Sequence, residues 1–322
     1  MTSLQTPFIE LADNLWGHVF DPNKRLFWGY LLATFGFATF VWWRSKCQKS
    51  LIQFLFPRAV WLNQSAKQDY IVWLLNAAIK TILIIPLLFS AAPIAIELSF
   101  FLERTFGDRP PLFLDKTAVA LSFTLMLFVL DDLTRYWLHL LLHKVPALWA
   151  IHKVHHSAEV MTPITVYRIH PIESALYACR LVLSQGLVLG LGFYLFGHRL
   201  DVVDVLGANI GVFLFNMFAA NLRHSHVWLT WPKLLEKWLI SPAQHQIHHS
   251  SAIEHRNKNI GSALAIWDRI AGSLVLSEEA NRKLTFGVGH RPYKNLLALY
   301  ALPCIEFCKA VAPKRRHKKA LK

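Results

Sequence analysis

Eight histidines of this chain fall into three tight clusters: His139 and His143 in HLLLH, His152, His155 and His156 in HKVHH, and His245, His248 and His249 in HQIHH. Positions three and four apart lie on one face of a helix, so each cluster presents its imidazoles in a single direction. Imidazole is the commonest protein ligand for metals near neutral pH. Eight converging imidazoles are too many for one tetrahedral ion, so the pattern predicts two metals. Any fold that satisfies it must bring the HLLLH–HKVHH region against a segment about a hundred residues further on.

The rest of the chain limits how that can happen. Of 322 residues, 54% are hydrophobic, and the formal net charge is +14. The apolar residues gather in runs at 27–43, 70–101, 117–142, 174–197 and 202–222, separated by polar and basic stretches. This patterning predicts an all-α polytopic membrane protein with about four to six transmembrane or re-entrant helices and a cytosolic, histidine-rich helical lobe. The 44–69 loop is basic and is placed in the cytosol, whereas the neutral 102–116 loop is placed on the far side. The short GHRLD joint predicts that 174–197 and 202–222 form a helical hairpin. All three clusters then end on the cytosolic face. The chain divides into an N-terminal membrane region (1–116), a region bearing the clusters (117–275) and a basic C-terminal segment (276–322). The basic excess is assigned to cytosolic loops and not to nucleic acid, because no nucleic-acid recognition motif accompanies it.

Local signals place the clusters on helices. Pro146 should break the helix between the first two. Ser241 as N-cap, Pro242 in the first turn and Gln244 three residues after the cap should start a short helix carrying the third. Asp132 and Tyr136 lie on the stripe of His139 and His143, where a carboxylate can orient a ligating imidazole; the plainer reading of Asp132 is a helix-packing hydrogen bond. His224, at the end of the 202–222 run, is a ninth ligand candidate. His226 and His170 (in RIHPIE) are additional ones, and His170 is alternatively a residue that positions the following segment. His18, His198, His290 and His317 are isolated and read as surface or structural. Cys47, Cys179, Cys304 and Cys308 form no Cys-x-x-Cys pair, so a thiolate zinc site is not expected. There is no His-Glu-x-x-His, no glycine-rich phosphate loop and no clear cleavable signal. The terminal KRRHKKALK reads as a solvated or lipid-headgroup-binding end.

These boxes resemble those of the fatty acid hydroxylase and sterol desaturase superfamily. The resemblance continues through DLTRYWLHLLLHKVPALWAIHKVHHSAE, RIHPIE and NIGSALAIWDRIAGS, covering roughly residues 120–275. It implies a non-haem di-iron centre that uses O2 to hydroxylate or desaturate a fatty acyl, sphingoid or sterol-like lipid. Such an oxygenase needs two electrons per turnover, and the sequence shows no haem or flavin domain. An external donor, cytochrome b5-like or ferredoxin-like, is therefore implied. The membrane is a bacterial inner membrane or the endoplasmic reticulum. The rival reading is a membrane metal transporter or metal-binding protein without oxygenase activity. Transport sites lie near the bilayer midplane, however, and these ligands fall at span ends and in a lobe.

Overall fold

The computed structural model describes residues 5–85, 90–108, 110–197, 199–205, 208–218, 220–280, 283–289 and 293–312. His198, His290, His317 and the basic tail lie outside the described residues.

Two long helices organise the molecule. Lys116–Lys144 runs for 29 residues from a cap in which the Asp115 carboxylate accepts from Ala118 N at 2.9 Å. It ends where Pro146 opens the next helix, Pro146–His156. A proline ring is tolerated in a first helical turn and not in an interior, so this break falls where the sequence places it. The second long helix, Pro171–Phe196, spans 26 residues and stops at Gly197, whose φ of 63° lies in the left-handed region. Among the described residues these two are long and apolar enough to cross a membrane. Leu121, Leu125, Trp137 and Leu141 on the first, and Leu183 and Leu187 on the second, point outward. Exposed apolar surface of this extent is uncommon on a soluble monomer.

Ala92–Phe106 packs closely along Pro171–Phe196. Gly186 and Gly190 permit this approach: a Cβ at Gly190 would stand 2.7 Å from Ala95 O, and one at Gly186 2.6 Å from Ile94 Cβ. Small residues four apart are how apolar helices bring their backbones together. The 27–43 run becomes Trp28–Arg44, and the 70–101 stretch resolves into Gln64–Ile79, a π-helical turn Lys80–Ile84 and Ala92–Phe106.

Two segments depart from expectation. The 202–222 run is not the second arm of a helical hairpin. Its described residues form a two-stranded antiparallel ribbon, Asp204–Val205 with Ala208–Asn209, and an eight-residue helix, Ile210–Met217. Polar side chains interrupt the run and turn inward: Asn209 caps Gly211 N at 2.9 Å, and Asn216 Oδ1 accepts from Arg25 at 3.1 Å. The 276–322 segment is also more than a basic end. It contains the apolar helix Leu296–Val311, which packs on Pro146–His156, and Val72, Val154, Tyr293 and Leu299 form a small buried core there.

Candidate metal centre

The histidines converge in two groups. His139, His143, His152, His156 and His248 form one; His155, His224, His245 and His249 form the other, and within each group the ligand atoms lie within 4.8 Å of one another. The helical period decides the division. On Pro146–His156, His152 and His156 are four apart and share one direction, while His155 turns to the other group. On Pro242–His248 and its cap, His245 and His249 share one direction and His248 turns away. Two boxes therefore serve both groups, which forces the groups to be neighbours. The rings of His156 and His249, one from each, stack with centroids 4.5 Å apart.

The nitrogen positions test whether metals fit. His224 Nε2 stands 3.2 Å from His155 Nε2, 3.1 Å from His249 Nε2 and 3.1 Å from His245 Nε2. In the other group His152 Nε2 and His156 Nε2 are 3.2 Å apart. Hydrogen bonds do not account for this crowding. His139 Nδ1 donates to Ile260 O at 2.7 Å, His152 Nδ1 to Glu173 Oε1 at 2.9 Å, His155 Nδ1 to Arg168 O at 3.3 Å and His248 Nδ1 to Lys258 O at 2.9 Å. A neutral imidazole carries one N–H, so in these four rings Nε2 is left as a bare lone pair. His143 Nε2 and His248 Nε2 are buried without any hydrogen-bond partner. A metal about 2.0–2.1 Å from each nitrogen would hold ligand nitrogens about 3.0–3.4 Å apart, the spacing seen. The donor set fits two metal ions.

Burial keeps the rings in the form a metal needs. Desolvation pushes His152 and His155 down to about 3, and holds His156, His224, His245, His248 and His249 well below the usual imidazole range. Neighbouring imidazoles lower most of them further. All seven are neutral at pH 7.

The acceptors behind the rings are themselves fixed. Asn257 and Asn259 adopt φ of 57° and 51°, a left-handed conformation that Asn tolerates better than most residues. The Asn259 side chain donates to Gln244 O and Val275 O and accepts from Val275 N. Asp268 accepts from Ile260 N at 3.0 Å and Gly261 N at 2.6 Å. A Cβ at Gly261 would stand 2.7 Å from Leu264 O. This tight loop aims Lys258 O at His248 and Ile260 O at His139. Arg168 is anchored by Asp69 at 2.7 Å and by Ser157 Oγ and Val154 O, which fixes the carbonyl that receives His155.

Residues 124–273 match the family model described as fatty acid hydroxylase. That stretch is similar to a fatty acid hydroxylase domain. The match encloses all nine clustered histidines together with Glu173 and Asp268. Human (Homo sapiens) alkylglycerol monooxygenase is 27% identical over 169 residues, covering 49% of this chain and 31% of that protein. Mouse (Mus musculus) lathosterol oxidase is 28% identical over 167 residues, covering 52% of this chain and 48% of the relative. The Delta(7)-sterol 5(6)-desaturase of Leptosphaeria maculans is 28% identical over 142 residues, covering 44% and 34%. The chain thus spans about a third to a half of the length of these curated relatives. No solved structure matches it significantly.

Within the matched residues, the other candidates fall outside the two groups. His226 turns away and its Nε2 bonds Phe54 O at 2.7 Å. His170 caps Pro171–Phe196, its Nδ1 accepting from Ile172 N at 3.2 Å while its Nε2 meets Tyr300 O at 3.0 Å. It positions that helix, and neither histidine is among the clustered nine. Among the described contacts Asp132 orients no imidazole. It accepts from Ala263 N, Leu264 N and Trp267 Nε1, tying the long helix to the segment after the carbonyl-bearing loop. Tyr136 is buried beside Trp137 and has no described hydrogen bond to a clustered histidine. The carboxylate that orients an imidazole is Glu173, which the stripe argument missed because it comes from the next helix. Its one sequence signal is its place in RIHPIE, and that of Asn259 and Asp268 is NIGSALAIWDRIAGS.

Proposed function

We propose that this protein is an integral-membrane, O2-dependent, non-haem di-iron oxidoreductase that hydroxylates or desaturates a lipid. The observation that carries this reading is the division of nine clustered histidines, seven of them buried, into two adjacent groups sharing the HKVHH and HQIHH boxes. One iron would be held by His139, His143, His152, His156 and His248, the other by His155, His224, His245 and His249. Bound there, the iron pair supplies, from O2, the oxidising power that an unactivated C–H bond demands.

The chain's own residues prepare the site for that chemistry. Glu173, Arg168 O, Lys258 O and Ile260 O fix ring tautomers, so the ligating nitrogens need no reorganisation when metal binds. Burial of the rings keeps bulk water from the site. The outward apolar faces of the two long helices suit a substrate that arrives from the bilayer. Each turnover consumes O2, two electrons and two protons. Hydroxylation places one oxygen atom in the lipid and one in water, whereas desaturation places both in water. The electrons come from a separate donor, cytochrome b5-like or ferredoxin-like, and the net charge of +14 favours an acidic one. By the charge of its loops, the site faces the cytosol.

The test is purified full-length protein analysed for metal and assayed with lipid extract, O2 and a reducing system. About two iron per chain and an O2-dependent lipid product, both lost in His249→Ala, are expected. Stoichiometric zinc with no oxygenated product in the presence of competent donor would reject the reading.

A further inference from the structure

The stripe that carries His139 and His143 extends beyond them. Asp131 and Arg135 precede His139 at four-residue intervals, so each of these residues lies one turn from the next along Lys116–Lys144. Arg135 Nε pairs with Asp131 Oδ2 at 2.7 Å, and Asp131 Oδ1 takes Arg180 of the neighbouring helix at 2.8 Å. Arg180 is satisfied further by Thr134 Oγ1 and Asp131 O. Pro171–Phe196 presents its side chains in matching layers: Glu173 beside His152, Arg180 beside Asp131, and Tyr177 between them within electrostatic reach of Arg135.

Positive charge is in excess here. Arg135 and Arg180 share one carboxylate. Arg25 comes within electrostatic reach of Arg135 and Tyr167. Its guanidinium donates to Asn216 Oδ1 at 3.1 Å and lies 4.9 Å from the centroid of the Phe215 ring. Among the described contacts Arg25 has no carboxylate partner. Uncompensated cations held this close together are unfavourable unless an anion joins them. Arg135 is the most accessible member of the bridge. Arg180 and Asp131 keep 9% and 22% of their side chains accessible, whereas Arg135 keeps 41%.

We propose that Arg135 and Arg25 bind the oxyanion head of the lipid substrate, a carboxylate or a phosphate ester, beside the histidine groups. This rests on the lipid-oxygenase reading above. Guanidinium is the side chain best shaped for such a head, because its forked donors meet two oxygens at once. Arg135 precedes His139 by four residues, a rise of about 6 Å, and its side chain turns back to Asp131, so its charge lies farther still from the histidines. The carbon presented to the histidines therefore lies some way along the chain and not beside the head.

The test uses the full chain in neutral detergent, with a fluorescent fatty acid displaced by palmitate, methyl palmitate or 1-palmitoyl lysophosphatidic acid. An anion should compete about tenfold or more better than the neutral ester, as a charge-assisted contact requires. Preference for palmitate assigns the head as carboxylate, and preference for the lysophospholipid assigns it as phosphate. Arg25→Gln and Arg135→Gln should each bring the anion to the level of the ester, and Arg25→Lys should retain part of the preference. Arg25→Gln leaves the Asp131 bridge intact and so decides the matter if the Arg135 variant fails to fold. Equal competition by ester and anions in the unaltered protein, or a preference that survives Arg25→Gln, overturns the proposal. Metal content and O2 consumption of the unaltered protein, measured separately, report on the oxygenase reading and do not enter this comparison.

Discussion

Glu173 accepts the Nδ1 proton of His152 at 2.9 Å, with both side chains only 2% exposed. A carboxylate buried so deeply is costly unless it meets a donor, and here the donor is a candidate ligand ring. The contact settles which ring nitrogen is free for metal and makes that nitrogen more basic. Glu173→Ala should weaken metal binding in the five-histidine group by about 10–100-fold, the range seen when such outer partners are removed. Glu173→Gln keeps an acceptor oxygen and should lose less. Chelator competition on the purified variants measures this, and equal affinity in all three proteins would remove Glu173 from the ligand-orienting role.

The division of the boxes predicts an asymmetry between adjacent residues. His155 and His156 are neighbours in sequence but belong to different groups. His155→Ala removes one of four candidate ligands and His156→Ala one of five. The first should lose about one of two bound ions outright, while the second should retain both at reduced affinity for one. His226→Ala and His170→Ala should keep full metal content. Metal counts per chain from elemental analysis distinguish the cases. Identical losses from His155→Ala and His226→Ala would contradict the grouping.

Much of this site was legible in the chain, for local reasons. Pro146 ends one helix and opens another because its ring forbids an interior position. Ser241 and Gln244 exchange both capping bonds, at 3.1 and 2.9 Å, in the pattern their spacing implies. What stayed hidden depends on how helices cross. Nothing in HKVHH says that His155 parts from its neighbours, since that follows from where the 242–249 segment arrives. The acceptors for His139, His155 and His248 are backbone carbonyls, which every residue possesses and no motif marks. The 202–222 run misled because apolar composition is shared by membrane spans and buried core, and its polar Asn209, Asn216 and Asn221 were the hint of an inward role.

Acid should act on the metal-free fold with a definite sign. Burial holds His152 and His155 at about 3 in the folded chain, against about 6.5 for an unfolded histidine. The folded values are the lower ones, so protons bind the unfolded chain preferentially. The stability of the apoprotein is then complete above about pH 6.5 and is lost progressively as the pH falls from there toward about 3. Its unfolding midpoint should be level between pH 8 and 7 and should decline steadily below 6.5. Metal uptake near pH 7 should release few protons from these rings, which calorimetry in buffers of different ionisation enthalpy can count. A midpoint that rises on acidification to pH 5 would mean that the folded rings accept protons.

The Arg168–Asp69 pair connects stability to one metal group in particular. The two side chains meet at 2.7 Å with exposures of 2% and 0%. Asp69 also receives Thr165 Oγ1 at 2.7 Å, and Arg168 reaches Ser157 Oγ at the end of the HKVHH helix. The pair thus clamps the 64–79 helix, the 163–167 turn and the second-box helix around the carbonyl that holds His155. Removing one partner of a buried pair strands the other charge, at a cost of about 3–5 kcal/mol. Arg168→Met should therefore lower stability by about that much and release metal from the four-histidine group before the other. Replacing both residues, Arg168→Met with Asp69→Leu, removes the stranded charge and should recover much of the stability. It should not restore His155, because the loss of the guanidinium still frees the backbone that receives its Nδ1 proton. Unfolding midpoints and metal counts on the two single variants and the double variant complete the cycle. If stability and metal recover together in the double variant, Arg168 supports the fold alone and the His155 carbonyl is held by something else.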